Sequence, residues 1–286
     1  MTAVEALTVD IDHLRSWIGR EDLGSDVLTE DLARKYHATF DLPGEAPKRG
    51  EIAPRMIHVC LAQPAVPTAQ LGPDGHPERG GFLPPVPLPR RMWAGSSQSF
   101  HGDLRVGDEV RRISRIADVV YKEGRTGALC FVTVQHQIEG NGRLVLEERQ
   151  DIVYRNLEAT GATPKTPPSA EAGTYRRPMK IEPPLLLRYS ALTFNAHRIH
   201  YDRRYSMEVE GYPALVVHGP MQAAMLLNYA TELRASPPSR FRFRGQSPLF
   251  DDAAFALNAR DEGDGLKLWT ARQDGPECMV AEASWQ

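Results

Sequence analysis

The chain has 286 residues, of which 41% are hydrophobic and 25% charged, with a formal charge of −3. That length allows one large domain or two of about 100–150 residues around a real core. Nothing in the near-neutral balance suggests a nucleic-acid surface or a membrane-seeking face, and runs such as Leu185–Leu187 and Ala214–Val217 fall far short of the roughly 18–20 apolar residues a membrane span needs.

From the start of the chain, MTAVEALTVDID carries acid and no basic stretch, so neither a secretory nor a transit segment is expected. Ile11–Ile18 and Asp31–Phe40 are expected helices. Residues 64–89, PAVPTAQLGPDGHPERGGFLPPVPLP, are too rich in Pro and Gly for regular helix or a central strand. The FLPPVPLP run within them reads as a rigid wall or loop rather than a partner-binding proline motif. Residues 104–155 read as several strands: VRRISRIADVVYKE, ALCFVTVQHQIE and LVLEERQDIVYR are β-branched-rich, with turns at Gly124, Gly127 and Gly140–Gly142. The Pro-rich stretch around Thr160–Pro168 marks a linker, placed at 161–174, between an N-terminal unit (1–160) and a C-terminal unit (175–286). Met221–Leu233 is apolar around most of its circumference, which predicts a buried helix. Ser236–Ser239 ends it, and strand-like runs follow at 241–245, 253–260, 266–273 and 278–285. A buried helix followed by antiparallel strands is an α+β plan in which the sheet wraps the helix. The first half keeps the strands, while its helical partner is less clear.

The three cysteines (Cys60, Cys130, Cys278) are isolated and form no Cys-x-x-Cys pair. A disulfide framework and a thiolate metal site are not expected, and the plain reading is a cytoplasmic protein. The densest chemical signal is RYSALTFNAHRIHYDRRYSMEVEGYPALVVHGP, residues 188–220, which holds His197, His200 and His218. His197 and His200 are three apart, and Asp202 could join them as a third metal ligand. No His-Glu-x-x-His pattern accompanies them, however, and no metal is expected. There is no Gly-x-Ser-x-Gly elbow, no cysteine beside a histidine, and no dinucleotide or P-loop glycine pattern. What remains is acid/base work by a histidine beside a neutral hydrogen-bonding partner.

At these residues the chain resembles a known family. NAHRIHYD is similar to the Asp-x-Asn-Pro-x-His-x-Asp signature of MaoC-type, R-specific enoyl-CoA hydratases, and GYPALVVHGP to the segment that opens their hotdog helix. The resemblance places His200 on the catalytic histidine, Asp202 on the acid that follows it, Asn195 on the catalytic aspartate, and Gly219 on the backbone N–H that binds the thioester oxygen. Asn195 departs from the family, since an amide cannot take a proton at neutral pH; it would hold the water or the ring. FNAHRIHYD, together with Leu71–Asp108, resembles the double-hotdog branch of type 2 hydroxyacyl-thioester dehydratases and bacterial itaconyl-CoA and mesaconyl-C4-CoA hydratases.

That resemblance implies a double hotdog whose two sheets continue as one. It also implies a hydro-lyase that adds water to an enoyl-CoA, making citramalyl-CoA from itaconyl-CoA or mesaconyl-C4-CoA. Coenzyme A would enter only as part of the substrate, with no other cofactor and no nucleic-acid or membrane partner, and two such chains could pair as a homodimer. Expected substrate contacts are Arg90, Arg91, Arg198, Trp93 and His218. An arginine suits a free acyl carboxylate because its planar fork binds two oxygens, although Arg90–Arg91 could equally clasp the coenzyme A phosphates. The alternatives are a 3-hydroxyacyl-thioester dehydratase of fatty acid metabolism, a thioesterase, and a non-catalytic acyl-CoA-binding hotdog protein. The presence of His200 and Gly219 speaks against the last.

Overall fold

The computed structural model describes residues 9–124, 127–156 and 167–285. Residues 161–166 of the expected linker lie outside them. The N-terminal half runs α1 (Ile11–Arg15), β1 (Glu21–Val27), α2 (Glu30–Thr39), a long loop, then β2 (Arg90–Phe100), β3 (Glu109–Gly124), β4 (Gly127–Gly140) and β5 (Arg143–Arg155). The C-terminal half runs β6 (Tyr175–Met179), α3 (Pro183–Leu192), α4 (Arg203–Glu208), α5 (Gly219–Arg234), β7 (Arg240–Gly245), β8 (Phe255–Glu262), β9 (Gly265–Arg272) and β10 (Glu277–Ser284).

All ten strands form one sheet in the order β1-β3-β4-β5-β2-β7-β10-β9-β8-β6. Each half therefore repeats one permutation: first, third, fourth, fifth and second strand, with the helical crossover between first and second. The halves join where β2 pairs antiparallel with β7, Ser96 opposite Phe243 and Gln98 opposite Phe241. This is a double hotdog. β2 carries a bulge between Trp93 and Gly95, and a Cβ on Gly95 would meet the Phe243 carbonyl at 2.5 Å, so the seam closes only around a glycine.

The helix at the centre of the C-terminal half is α5. Pro220 sits in its first turn, where its missing N–H is no loss. Met221, Ala223, Ala224, Leu226, Leu227 and Ala230 are all buried, packed with Phe241, Phe243, Leu257, Leu268 and Ala281 of the enclosing strands. Each large side chain so buried contributes about 1.5–3 kcal/mol. The N-terminal crossover is different. Its helix α2, capped by Thr29 Oγ1 accepting from Leu32 N at 3.1 Å, has 10 residues against the 16 of α5. It buries Ala33 and Tyr36 against Val110, Ile138 and Leu146, at one end of the N-terminal sheet.

A second apolar cluster covers the other end. Val86 and Leu88, from the proline-rich loop, pack with Ile116, Val132, Val134, Ile152 and Tyr154. Between the two clusters the same face carries Arg112 and Ser114 (β3), His136 (β4) and Glu148 and Gln150 (β5), because alternate residues share a face. A short helix at one end and a loop at the other thus leave a polar belt uncovered in the middle. The three cysteines are buried and free. Among the described residues, no helix is long and apolar enough to cross a membrane.

Candidate active site

The segment between α3 and α5 is held as a compact loop. Phe194 takes φ +49°, Asn195 N donates to Ser190 O at 2.8 Å, and Val216 N donates to Ile199 O at 3.0 Å. Asp202 Oδ1 caps α4 by accepting from Tyr205 N at 3.0 Å, so its carboxylate is structural here. The 3-10 turn Arg198–His200 between these ties presents the His200 ring.

His200 is only 7% exposed. Its Nδ1 donates to Val216 O at 2.7 Å, and its ring stacks on His218 with centroids 3.6 Å apart and planes at 19°. Since a carbonyl only accepts, Nδ1 carries the proton and Nε2 the lone pair. Burial lowers the His200 pKa to about 4; the Val216 bond opposes that and the nearby His76 adds to it. The ring is therefore neutral at pH 7. His218 lies behind it, Nε2 sharing a 2.8 Å bond with Ser190 Oγ, and burial first, then His200 and His197, holds it well below the usual imidazole range.

Gly219 opens α5, where first-turn N–H groups lack intrahelical partners and the helix dipole favours negative charge. A Cβ there would meet only Met279 Cε at 3.8 Å. Asn195 Oδ1 accepts from His197 N at 2.9 Å. The His200 ring is thus oriented by Val216 and His218 rather than by Asn195, whose amide N–H groups remain to meet a ligand.

A cavity of about 1180 Å³ reaches this loop from the N-terminal half. Its wall near the loop includes His76, Ser190, Asn195 and Pro220, and its far wall is the polar belt of Arg112, His136, Glu148 and Gln150 together with His58. His200 and Gly219 adjoin this near wall, Gly219 as the residue before Pro220 and His200 through its stack on His218, which shares a bond with Ser190. Within the belt, Glu148 accepts from Ser96 Oγ and from Gln98 Nε2 at 3.0 Å, and lies 3.3 Å from His58 Nε2. Burial would raise the Glu148 carboxyl, but the hydrogen bond and charge of His58, then His136 and Ser96, bring it down to about 2. His136 is bonded on both nitrogens, to Ser114 Oγ and Gln150 Oε1, each at 2.8 Å.

The structure separates the expected substrate contacts. Arg91 and Trp93 line the cavity, and Arg91 lies within electrostatic reach of His76, His197 and Tyr154. Arg90 and Arg198 are not brought there. Arg90 lies 3.5 Å from Glu210 and over the Tyr212 ring. Arg198 donates to Asp202 at 2.8 and 3.1 Å and to Pro73 O at 3.1 Å. Each therefore closes on its own acid, and His218 is screened by the His200 ring.

One element was not singled out from the sequence. The turn Asp74–His76, from the proline-rich loop, is docked against the loop that carries His200: Arg198 N donates to Asp74 O at 2.9 Å, and the His76 ring lies against that of His197 with centroids 4.0 Å apart. His76 Nδ1 is 2.9 Å from Asp74 Oδ2. Donor atoms of Asp74, His76 and His197 all lie within 4.8 Å of one another. Yet the Asp74 oxygen is already engaged by His76, and imidazoles tilted by 39° at this separation lie closer to face to face than lone pairs converging on one ion require. The geometry is that of a hydrogen-bonded Asp–His dyad.

Residues 56–251 match the family model described as hydroxyacyl-thioester dehydratase type 2. The chain is 45% identical over 269 residues to the mesaconyl-C(4)-CoA hydratase of Chloroflexus aurantiacus, covering 93% of this chain and 95% of that one. It is 26% identical over 241 residues to the mitochondrial hydroxyacyl-thioester dehydratase type 2 of Schizosaccharomyces pombe, covering 75% and 79%. Among solved structures it superposes on HtdX of Mycobacterium tuberculosis with TM-score 0.69 and 18% identity, over 93% of this chain and 100% of that chain.

Proposed function

The chain belongs to the hydroxyacyl-thioester dehydratase type 2 family of MaoC-like, double-hotdog hydro-lyases, and from that premise we propose that it hydrates a short enoyl-CoA whose acyl group carries a free carboxylate. Mesaconyl-C4-CoA, giving citramalyl-CoA, is the first candidate and itaconyl-CoA the second. The observation that carries this reading is the polar far wall of the cavity. Arg112, His136, Glu148 and Gln150 face the space that a long acyl chain would need to find apolar. Arg91, on the same cavity and beside His76 and His197, is the cation placed to grip a carboxylate. The 45% identical mesaconyl-C(4)-CoA hydratase supports the same class.

In this reading the thioester carbonyl accepts a hydrogen bond from Gly219 N–H at the positive end of α5, which stabilises the enolate. Neutral His200 takes a proton from water through Nε2 as the water oxygen bonds to the β-carbon, then returns it to the α-carbon. Trp93 and the Phe82–Pro84 stretch wall the cavity near Arg91.

Purified protein should be assayed for loss of enoyl-thioester absorbance with mesaconyl-C4-, itaconyl-, crotonyl- and a medium-chain enoyl-CoA, and then as Arg91→Gln. A lost charge-assisted bond is worth roughly 1.5–3 kcal/mol, so the variant should lose about 10–150-fold in kcat/KM on the dicarboxylic substrates and little on crotonyl-CoA. An equal loss on every substrate would assign Arg91 to the coenzyme A phosphates. A medium-chain enoyl-CoA as the best substrate would replace this reading by a fatty-acid 3-hydroxyacyl-thioester dehydratase.

A further inference from the structure

We propose that His76, oriented by Asp74, is a second imidazole of the hydration site and binds the water that His200 deprotonates; the inference rests on the hydratase reading above. Three observations meet at this residue. The first is placement. The turn holding His76 comes from the N-terminal half but is locked main chain to main chain onto the catalytic loop, through Arg198 N to Asp74 O at 2.9 Å. Gly75 has φ +88°, and a Cβ there would sit 1.9 Å from the Ala196 carbonyl oxygen. Only glycine permits so close an approach.

The second observation is the state of the ring. Asp74 receives His76 N on Oδ1 at 3.0 Å and His76 Nδ1 on Oδ2 at 2.9 Å. Burial would raise the Asp74 carboxyl, but these bonds and the His76 charge hold it below the usual carboxylate range. A carboxylate only accepts, so Nδ1 carries the proton and Nε2 offers a lone pair. Burial keeps His76 itself below the usual imidazole range despite Asp74, with Arg91 and Arg79 also lowering it. The third observation is access. His76 and Asn195 both line the cavity, and the His76 ring meets His197, whose ring is 5.3 Å from that of His200.

The demands of the water complete the argument. It has two hydrogens and two lone pairs. His200 Nε2 takes one hydrogen as a proton, and one lone pair forms the bond to the β-carbon while the π electrons move to the thioester oxygen. Asn195 spends Oδ1 on His197 N at 2.9 Å, so its amide can donate to the second lone pair but cannot accept the second hydrogen. His76 Nε2 accepts it. The proton on His200 then passes to the α-carbon, and His76 ends the cycle in the charge state in which it began. His76 is a catalytic residue by contact with the water, and Asp74 a positioning residue acting through it.

The test uses whichever acyl-CoA the wild-type protein hydrates; a protein that hydrates none would sink the hydratase reading itself. His76→Asn should lower kcat about 100-fold with KM near the wild-type value, and Asp74→Asn about 10-fold. Adding Asn195→Asp to His76→Asn should restore at least about 10-fold, because a carboxylate at 195 supplies the missing acceptor. Melting temperatures are taken for every variant, so that a loss through misfolding is recognised. Wild-type kcat in His76→Asn, a loss confined to KM, or no rescue by the second substitution would each overturn the proposal. So would activity lost to a chelator and restored by zinc, which would make Asp74, His76 and His197 metal ligands.

Discussion

A base that is neutral at rest and able to hold a proton briefly is what hydration asks of one side chain, and His200, the proposed base, meets the first half of that demand. Val216 fixes its tautomer at 2.7 Å and burial lowers its pKa to about 4. His200→Ala is expected to cut kcat/KM by 10²–10⁴-fold, the usual range for loss of a general base. It should fold, at a cost of about 1–3 kcal/mol for leaving the Val216 carbonyl unpaired. Asn195→Ala should be milder, about 10-fold, because a water can stand in for an orienting amide. Steady-state kinetics beside thermal melts checks both. Activity in His200→Ala close to that of the wild type would remove His200 from the chemistry. An increase on Asn195→Asp alone would mean that the amide is a handicap rather than a tuned feature.

At the scale of elements, the site depends on a loop from one half entering the other. Gly75→Ala should undock it, since no side chain fits 1.9 Å from the Ala196 carbonyl and φ is +88°. We expect kcat/KM to fall about 100-fold while the melting temperature drops by only a few degrees, the Asp74–His76 turn itself lying outside the three apolar clusters. A fully active Gly75→Ala would show that the docking is dispensable. This dependence also explains what could be read in advance. The proposed site residues His200, His218, Asn195 and Gly219 could be singled out because they crowd into one stretch of 33 residues, and α5 was legible because it is apolar all round. Asp74 and His76 lie about 120 residues away, inside the Leu71–Asp108 segment whose resemblance to the family names no site residue within that Asp-Gly-His turn. The strands that went unread have physical reasons. β1 is a polar edge strand with Gly24 in its middle, and β6 carries Pro178, which an edge tolerates. β2 is bulged and turns Ser96 and Gln98 inward to bond Glu148, so its alternation looks like a loop's. α3 begins with two prolines, which only a first helical turn accepts. Arg90 and Arg198 were plausible carboxylate receptors by residue type, but pairing with Glu210 and Asp202 decides otherwise, and sequence spacing shows neither distance.

At the scale of the whole molecule, one repeated plan has been put to two uses. The C-terminal half fills its sheet with α5, while the N-terminal half leaves a cavity with a polar belt in its wall where its shorter helix stops. That division collects neutral imidazoles in the interior, and it has a consequence for stability. Burial holds His76, His136, His197, His200 and His218 below the usual imidazole range. The groups facing the active-site four are Asp74, Arg91 and one another, with Arg79 near His76; His136 faces Glu148, Arg112 and His58. In the unfolded chain each imidazole binds a proton near pH 6.5. As pH falls below that value the unfolded state takes up protons the folded state refuses, so stability falls with pH. For His200, folded at about 4, the loss between pH 7 and 5 is on the order of 2 kcal/mol. Glu148, folded at about 2, acts in the same direction but lower, its contribution being lost as pH falls from about 4.5 toward 2. Urea midpoints at pH 7.5, 6.5, 5.5, 4.5, 3.5 and 2.5 should therefore decline in two stages, the histidine stage first. His136→Gln should lessen the first stage, because it removes a buried imidazole far from the catalytic loop without removing a catalytic group. A midpoint that stays flat from pH 7.5 to 5 would mean that these rings protonate in the folded state as easily as in water, and the buried, neutral histidine cluster on which the site is argued would have to be given up.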